Sequence, residues 1–179
     1  MGGIRRCWWL AVLAVAAGCQ GKGTVSGPAP AGPGGGSGAP PTAGPTGGPG
    51  SDFTLNTLDG KTLRLSDYRG KPAVVNFWGS WCGYCRQEAP GLEAVYKKYQ
   101  ARGFTIIGVA VHDNQEDVRA AIKELGLTFP VGLSDEIAQA YGVNGYPTNF
   151  FIDKTGRIAH QHAGAMSEED FEAAVLKLL

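Results

Sequence analysis

The sequence predicts an α/β fold, a sheet covered by helices on both faces, in residues 51–179. Three observations support this prediction. Short apolar runs that suit buried strands alternate with segments of helical periodicity. Glycines follow two of the predicted helices, where they favour the end of a helix. The preceding stretch 20–50 holds 12 glycines and seven prolines among 31 residues, so we exclude it from the predicted core.

The first predicted elements are a hairpin, a strand and a helix. Segments 53–55 and 62–65 alternate apolar and polar residues around an Asp-Gly pair, a typical hairpin signal. Residues 73–78, Ala-Val-Val-Asn-Phe-Trp, form an apolar run that suits a strand buried on both faces. In segment 88–100 apolar side chains recur at helical spacing, and a glycine follows shortly after.

The middle of the domain repeats the alternation of strand and helix. Residues 104–111 are a second apolar run and predict a second buried strand. Segment 113–125 has the periodicity of an amphipathic helix and ends at Gly126. We expect a short strand at 129–133 and a helix at 134–141.

The last predicted elements are two strands and a helix. Segments 148–152 and 157–162 lie on either side of a Lys-Thr-Gly turn, which predicts a strand pair. A capping box formed by Ser167 and Asp170 opens a final helix at 167–179. The alternation of elements therefore continues to the end of the chain.

The first 19 residues have the pattern of an export signal. Arg5 and Arg6 precede an apolar run at 7–17, which suits a signal peptide and is short for a membrane span. The Ala-Ala-Gly-Cys segment ending at Cys19 resembles a bacterial lipobox, whose cysteine is lipidated and becomes the new N-terminus. An ordinary signal peptide and an uncleaved anchor are the alternatives, and both also predict export.

We interpret residues 20–50 as a disordered tether between this signal and the domain at 51–179, because the stretch has too little apolar surface to offset the entropy of ordering. The chain has 16 basic and 16 acidic residues, three of the basic ones in residues 1–50 and none of the acidic ones there. The domain thus has 13 basic and 16 acidic residues, a net charge of −3, which gives no support for binding nucleic acid.

Cys82 and Cys85 are the cysteines of the predicted domain, and they stand two residues apart between a predicted strand and a predicted helix. At the start of a helix, unpaired backbone N–H groups and the helix dipole favour a thiolate on Cys82. Cys85 lies one turn further, close enough to attack a mixed disulfide formed on Cys82. Such a pair cycles between dithiol and disulfide without a cofactor or metal.

Other uses of a cysteine pair are weaker for this sequence. A structural zinc site needs about four ligands, and the domain has no second cysteine pair. Covalent haem attachment needs a histidine after the second cysteine, where Arg86 stands. An inert structural disulfide is an alternative, although a three-residue step at a helix start makes a small and accessible loop.

Two segments carry a resemblance to thioredoxin-fold proteins. Residues 76–85, NFWGSWCGYC, resemble their active site, and residues 145–153, GYPTNFFID, resemble their cis-proline loop. The hairpin and the additional helix at 113–125 look like those of the membrane-tethered ResA/TlpA/CcmG group. The resemblance implies a thioredoxin-like fold with a central mixed sheet, an N-terminal β-hairpin and an inserted helix.

The resemblance also implies roles for single residues. Cys82 would be the attacking cysteine and Cys85 the resolving one. Pro147 would be the cis-proline beside the disulfide, where the neighbouring backbone can pair with a substrate strand. Pro90 matches a proline that kinks the active-site helix, and Trp81 would lie at the rim of the site.

Two single positions, 76 and 146, depart from the wider family. Asn76 stands where cytoplasmic thioredoxins have a buried aspartate. Glu88 matches instead an acidic residue of the ResA group thought to tune the cysteines, and partial burial would raise its pKa towards a role in proton transfer. A solvated helix carboxylate is the alternative for Glu88. Tyr146 is bulkier than the usual Thr, Ile or Val, so it would narrow the substrate groove or supply an aromatic contact.

The dipeptide Gly83-Tyr84 matches neither Gly-Pro nor Pro-His and leaves the reduction potential open. With Trp81, Tyr146 and Pro147, these two residues complete the predicted substrate-binding set.

These implications predict a monomeric, lipid-anchored thiol-disulfide oxidoreductase in the periplasm or on the outer face of a membrane. It would reduce disulfides of exported proteins, such as apocytochrome c, with electrons from a membrane carrier of the CcdA/DsbD type. A disulfide donor that uses the same site is an alternative. A peroxiredoxin is disfavoured because Val75 and Gly79 stand where its pattern requires Pro and Thr.

A copper-binding module is a second alternative, since relatives of this fold bind copper through two cysteines and a histidine. Those relatives have three residues between their two cysteines, whereas two residues separate Cys82 and Cys85. His160 and His162 share a strand face but lack a nearby third ligand in the sequence, and we assign no role to His112.

Overall fold

The computed structural model describes residues 50–179. The predicted signal peptide, Cys19 and nearly all of the predicted linker lie outside these residues, and the domain boundaries remain predictions. Within the described part, no helix combines the length and apolar character needed to cross a bilayer.

The described residues form seven strands and four α-helices, which confirms the predicted order of elements. In chain order they are β1 (Thr54–Asn56), β2 (Thr62–Arg64), β3 (Ala73–Trp78), α1 (Gly83–Tyr99), β4 (Thr105–Ala110), α2 (Gln115–Leu125), β5 (Val131–Leu133), α3 (Asp135–Ala140), β6 (Thr148–Ile152), β7 (Ile158–Ala163) and α4 (Glu168–Leu176). Short 3-10 turns follow β2 and α1, at Leu65–Tyr68 and Gln100–Arg102.

The central sheet has the strand order β5-β4-β3-β6-β7. Strands β3, β4 and β5 are parallel to one another, whereas β6 runs antiparallel to β3 and β7 antiparallel to β6. In β7, Ile158 faces Ile152 and His160 faces Phe151, so Ala159 is an extra residue that forms a bulge. The sheet is therefore mixed, as the family resemblance implies.

The hairpin β1-β2 is a separate two-stranded sheet that covers the outer edge of β5. Thr57 forms an antiparallel bridge with Gly132, and the N–H of Leu58 donates to the carbonyl of Val131 at 2.7 Å. A Cβ atom at position 132 would lie 2.5 Å from the carbonyl oxygen of Asn56. The hairpin can approach β5 this closely because position 132 is glycine.

Helices cover both faces of the sheet, as predicted from the alternation of elements. One core lies beneath α1, α2 and α4 and includes Trp78, Leu92 and Phe171. The other lies between the sheet, α3 and the hairpin and includes Phe77 and Ile137. Adjacent residues of β3 point into opposite cores, and all six are buried.

Helix α1 begins five residues earlier than the segment 88–100 that the apolar periodicity predicts. Residues 83–87 carry no apolar repeat, so their helical state could be read only from the cysteine spacing. The helix contains Pro90, and its N-cap is Cys82. The disulfide-forming residues therefore lie at the helix N-terminus, after the end of β3.

Candidate active site

Cys82 and Cys85 form a disulfide at the start of α1, with their Cα atoms 5.3 Å apart. The backbone N–H of Cys85 donates to the sulfur of Cys82 at 3.2 Å. The side chain of Cys82 is 6% exposed and that of Cys85 is 2% exposed. Cys82 is thus slightly more exposed than Cys85, and its sulfur already has a backbone donor that can stabilise negative charge.

Asp113 fixes the loop that leads into the cysteine pair. Its Oδ2 accepts the backbone N–H of Ser80 at 2.6 Å, and its Oδ1 accepts the Ser80 hydroxyl at 3.0 Å. The sequence alone assigned no role to Asp113, which follows the predicted strand 104–111. The available signal was that β3 and β4 are parallel neighbours, so the segments that follow them meet at one edge.

We expect Asp113→Ala to destabilise the protein by about 2 kcal/mol, because the variant leaves two donors of Ser80 without a charged acceptor. Disulfide exchange should also slow, since Ser80 precedes Trp81 and Cys82 directly. Chemical denaturation and a thiol-exchange assay measure the two effects. The control is Asp67→Ala, an exposed carboxylate before β3 that makes no hydrogen bond within the described residues. Equal stability of both variants would contradict the role of Asp113.

Glu88 lies on α1 one turn beyond Cys85 and is buried, with only 4% of its surface exposed. Its Oε2 accepts the backbone N–H of Met166 at 3.0 Å, and its Oε1 accepts the side-chain amide of Asn76 at 3.1 Å. Burial raises the pKa of Glu88 to about 7, although these hydrogen bonds lower it. A buried carboxyl with a raised pKa therefore lies on the same helix as the cysteine pair, one turn beyond Cys85.

Two asparagines on neighbouring strands support this carboxyl. Asn76 on β3 pairs in register with Asn149 on β6, and the Nδ2 of Asn76 donates to the Oδ1 of Asn149 at 2.8 Å. The Nδ2 of Asn149 also donates to Glu88 Oε1, at 3.4 Å. Sequence reasoning missed Asn149, because its place opposite Asn76 depends on the register of two strands distant in the chain.

The peptide bond between Tyr146 and Pro147 is cis, as the family resemblance implies. The carbonyl of Pro147 accepts the N–H of Gly164 at 2.8 Å, which ties the loop to the residue after β7. The backbone N–H and carbonyl of Tyr146 form no hydrogen bond with other described residues. The backbone before the proline is thus available to an incoming strand.

Exposed aromatic side chains adjoin the two cysteines in the sequence. Trp81 is 54% exposed, and its indole N–H donates to the carbonyl of Val111 at 3.1 Å. The ring of Tyr146 contacts that of Trp81 edge-to-face, with centroids 5.6 Å apart. Tyr84 is 70% exposed, and no atom lies within 4 Å of a Cβ built on Gly83. Trp81 and Tyr84, which adjoin Cys82 and Cys85 in the sequence, therefore present exposed aromatic surface, and Tyr146 contacts Trp81.

The two histidines of β7 do not join the cysteines in a cluster. The rings of His160 and His162 lie 6.5 Å apart, and His160 packs on Phe151. Burial, with contributions from His162 and Lys177, lowers the pKa of His160. Between residues 50 and 179, no three His, Cys, Asp or Glu side chains are arranged so that they could hold a metal ion.

Comparisons with known proteins agree with this geometry. The model of the AhpC/TSA family matches residues 46–161. The thiol-disulfide oxidoreductase ResA of Geobacillus thermodenitrificans is 41% identical over 123 residues, which are 68% of this chain and 71% of that protein.

Two solved structures are also similar. The thiol:disulfide interchange protein of Chlorobium tepidum, a thioredoxin family protein, superposes with a TM-score of 0.70 at 33% identity, covering 75% of this chain and 96% of that chain. An exposed lipoprotein thioredoxin of Streptococcus pneumoniae superposes with a TM-score of 0.62 at 33% identity, covering 72% and 100%.

Proposed function

Because the chain belongs to the AhpC/TSA family of thioredoxin-fold proteins and is a thiol-disulfide oxidoreductase, we propose that it reduces disulfides of exported proteins while tethered to a membrane outside the cytoplasm. The observation that carries the proposal is the Cys82–Cys85 pair at the N-terminus of α1. The N–H of Cys85 faces the sulfur of Cys82, so the geometry favours a thiolate on the more exposed cysteine.

The reaction has two thiol-disulfide exchange steps. The Cys82 thiolate attacks one sulfur of the substrate disulfide, which forms a mixed disulfide and releases one substrate thiolate. The Cys85 thiolate then attacks the sulfur of Cys82 and releases the second substrate thiolate. Two electrons pass to the substrate, the two released thiolates take up protons, and the protein ends as the disulfide.

Glu88 is the proposed proton acceptor for Cys85 in the second step. A thiol must lose its proton before it attacks, and a buried carboxyl with a pKa of about 7 can take that proton at neutral pH. Positions 85 and 88 are three residues apart on α1 and share one helix face. Asn76 and Asn149 keep the carboxyl in place through their amide groups.

The substrate is proposed to bind as an extended strand beside the cis-proline loop. The backbone N–H and carbonyl of Tyr146, which pair with no other described residue, would bind that strand, and the family resemblance implies that Pro147 lies beside the disulfide. Trp81, Gly83 and Tyr84 would contact the residues that flank the substrate disulfide, since two of them are exposed aromatics and the third leaves open space.

Each turnover leaves the protein oxidised, so a two-electron donor must reduce the pair again. In an oxidising compartment a membrane carrier of the CcdA/DsbD type would supply these electrons, and apocytochrome c is a proposed substrate. Lipid on Cys19 and the linker 20–50 would hold a monomeric domain near that carrier. The similarity to an exposed lipoprotein of Streptococcus pneumoniae supports the tether.

The reduction potential of the Cys82–Cys85 pair tests the direction of the reaction. We expect the full-length chain, equilibrated against glutathione buffers, to show a potential near that of thioredoxin, about −270 mV. A value near that of strong oxidants, about −120 mV, would make the protein a disulfide donor and overturn the proposed direction. Mass spectrometry of alkylated samples measures the oxidised fraction at each buffer ratio.

A further inference from the structure

We propose that the surface beside the disulfide contains a subsite for a cationic side chain of the substrate protein. This cation subsite consists of three rings and one carboxylate: Trp81, His112, Tyr146 and Asp135. The inference rests on the proposed function, because it concerns the protein whose disulfide the pair reduces. It adds to that function the chemical character of the residues next to the substrate disulfide.

In the cation subsite, the rings of Trp81 and His112 both contact the ring of Tyr146 in edge-to-face arrangements. The ring of Trp81 stands at 89° to that of Tyr146, and the ring of His112 at 85°, with its centroid 6.0 Å away. Electron-rich faces of Trp and Tyr attract a cation that lies within about 6 Å of the ring centre. Because Trp81 is 54% exposed, its ring has surface available to a lysine or arginine side chain.

The carboxylate of Asp135 contacts His112, one of these three rings. Its Oδ1 accepts the backbone N–H of His112 at 2.7 Å and lies 3.3 Å from the Nδ1 of the same residue. Its Oδ2 receives no hydrogen bond from residues 50–179, and the side chain is 59% exposed. One oxygen thus fixes the carboxylate while the other is free to accept a charged donor.

The position of His112 depends on this contact. His112 has a φ of 50°, a left-handed backbone conformation that is uncommon for residues other than glycine. The bond from its N–H to Asp135 holds the backbone there and aims the ring at Tyr146. The carboxylate of Asp135 therefore both positions the ring of His112 and supplies the negative charge.

Charges around the disulfide favour a cation over an anion. Asp113 and Asp135 lie at this edge, and Glu136 follows Asp135 as an exposed residue of α3. The cation nearest in sequence to the pair, Arg86, is already paired with Glu124. The net charge of −3 for residues 51–179 also favours a cation over an anion.

Matched disulfide peptides test the cation subsite. Each pair consists of two peptides with one disulfide that are identical except at one residue, which is lysine in one peptide and norleucine in the other. Separate pairs place this residue before and after the disulfide-bonded cysteines. With the reduced full-length chain, we expect the lysine peptide to show a kcat/KM about fivefold higher at one position or more. Added salt should reduce this preference, because the carboxylate contribution is screened.

Two variants and a control locate the effect. Asp135→Asn and Tyr146→Leu should each bring the ratio of lysine to norleucine rates close to one. Asp67→Asn removes an exposed carboxylate before β3, at the other end of the sheet, and should change neither the rates nor their ratio.

Each remaining outcome is decisive. Equal rates for lysine and norleucine at every position, or faster reaction of norleucine, would overturn the cation subsite and leave the reductase proposal intact. An unchanged preference in Asp135→Asn and Tyr146→Leu would also overturn it. Failure of both peptides to react would overturn the proposed function together with the subsite.

Discussion

Replacement of Cys85 by serine is expected to trap a mixed disulfide between Cys82 and the natural substrate. The first exchange step needs only Cys82, whereas release of the substrate needs the thiolate of Cys85. Cys82→Ser should lose disulfide exchange to the uncatalysed background, because a serine hydroxyl cannot take its place. Non-reducing gels followed by mass spectrometry of the adduct, from cells that express the full-length chain, measure both effects.

The same two variants also test which cysteine attacks the substrate and which one resolves the mixed disulfide. Adducts with Cys82→Ser and none with Cys85→Ser would make Cys85 the attacking cysteine. The double variant Cys82→Ser/Cys85→Ser is the control for non-specific capture and should form no adduct. Adducts would appear with neither single variant if the pair were an inert structural disulfide.

Replacement of Glu88 by glutamine is expected to change how stability depends on pH. Burial raises the pKa of Glu88 from 4.5 to about 7, so the folded state binds more protons than the unfolded state between these values. The contribution of Glu88 to the free energy of unfolding should therefore fall by about 2.5 kcal/mol as pH rises from about 5 to about 8. Glutamine does not titrate, so the variant lacks this loss.

The measurement is chemical denaturation of the oxidised full-length chain and of Glu88→Gln from pH 5 to pH 9. Relative to wild type, the variant should gain about 2.5 kcal/mol across this range, whatever its stability at pH 5. The gain should persist at high salt, because desolvation is not screened as exposed charge pairs are. Parallel stability curves would return Glu88 to the status of a solvated carboxylate.

A functional measurement on the same variant tests proton transfer. In the reduced protein, the pKa values of the cysteine thiols should differ between wild type and Glu88→Gln, because the neighbouring negative charge is removed. Unchanged thiol pKa values would contradict a role for Glu88 in the exchange reaction and leave only its effect on stability.

The features that the sequence predicts well are those encoded in short segments. Apolar runs marked β3 and β4, because strands buried on both faces have few polar residues. The spacing of Cys82 and Cys85 indicated the helix N-terminus, although the apolar pattern placed the start of α1 too late. The cis-proline loop was recognised from its resemblance to a family and not from periodicity.

The features that escaped prediction depend on contacts between distant segments. Asn149 supports Glu88 only because β6 pairs with β3 in one register. Asp113 reaches Ser80 only because two parallel strands end at the same edge. Asp135 could not be linked to His112 without the path of the chain into α3. Local propensity contains none of this information, since each contact joins residues that are 12 or more positions apart.

The bulge at Ala159 disfavours the pairing of β7 with a strand of a second copy of this protein. Outer strands of a sheet expose unpaired N–H and carbonyl groups, which can recruit a strand from another chain and start aggregation. The hairpin already occupies one margin of the sheet through Thr57 and Gly132. At the other edge of the sheet, β7 is irregular and carries His160 and His162, so it is a poor template for a strand of a second copy. Both features lower the tendency of the domain to pair with a second copy of itself.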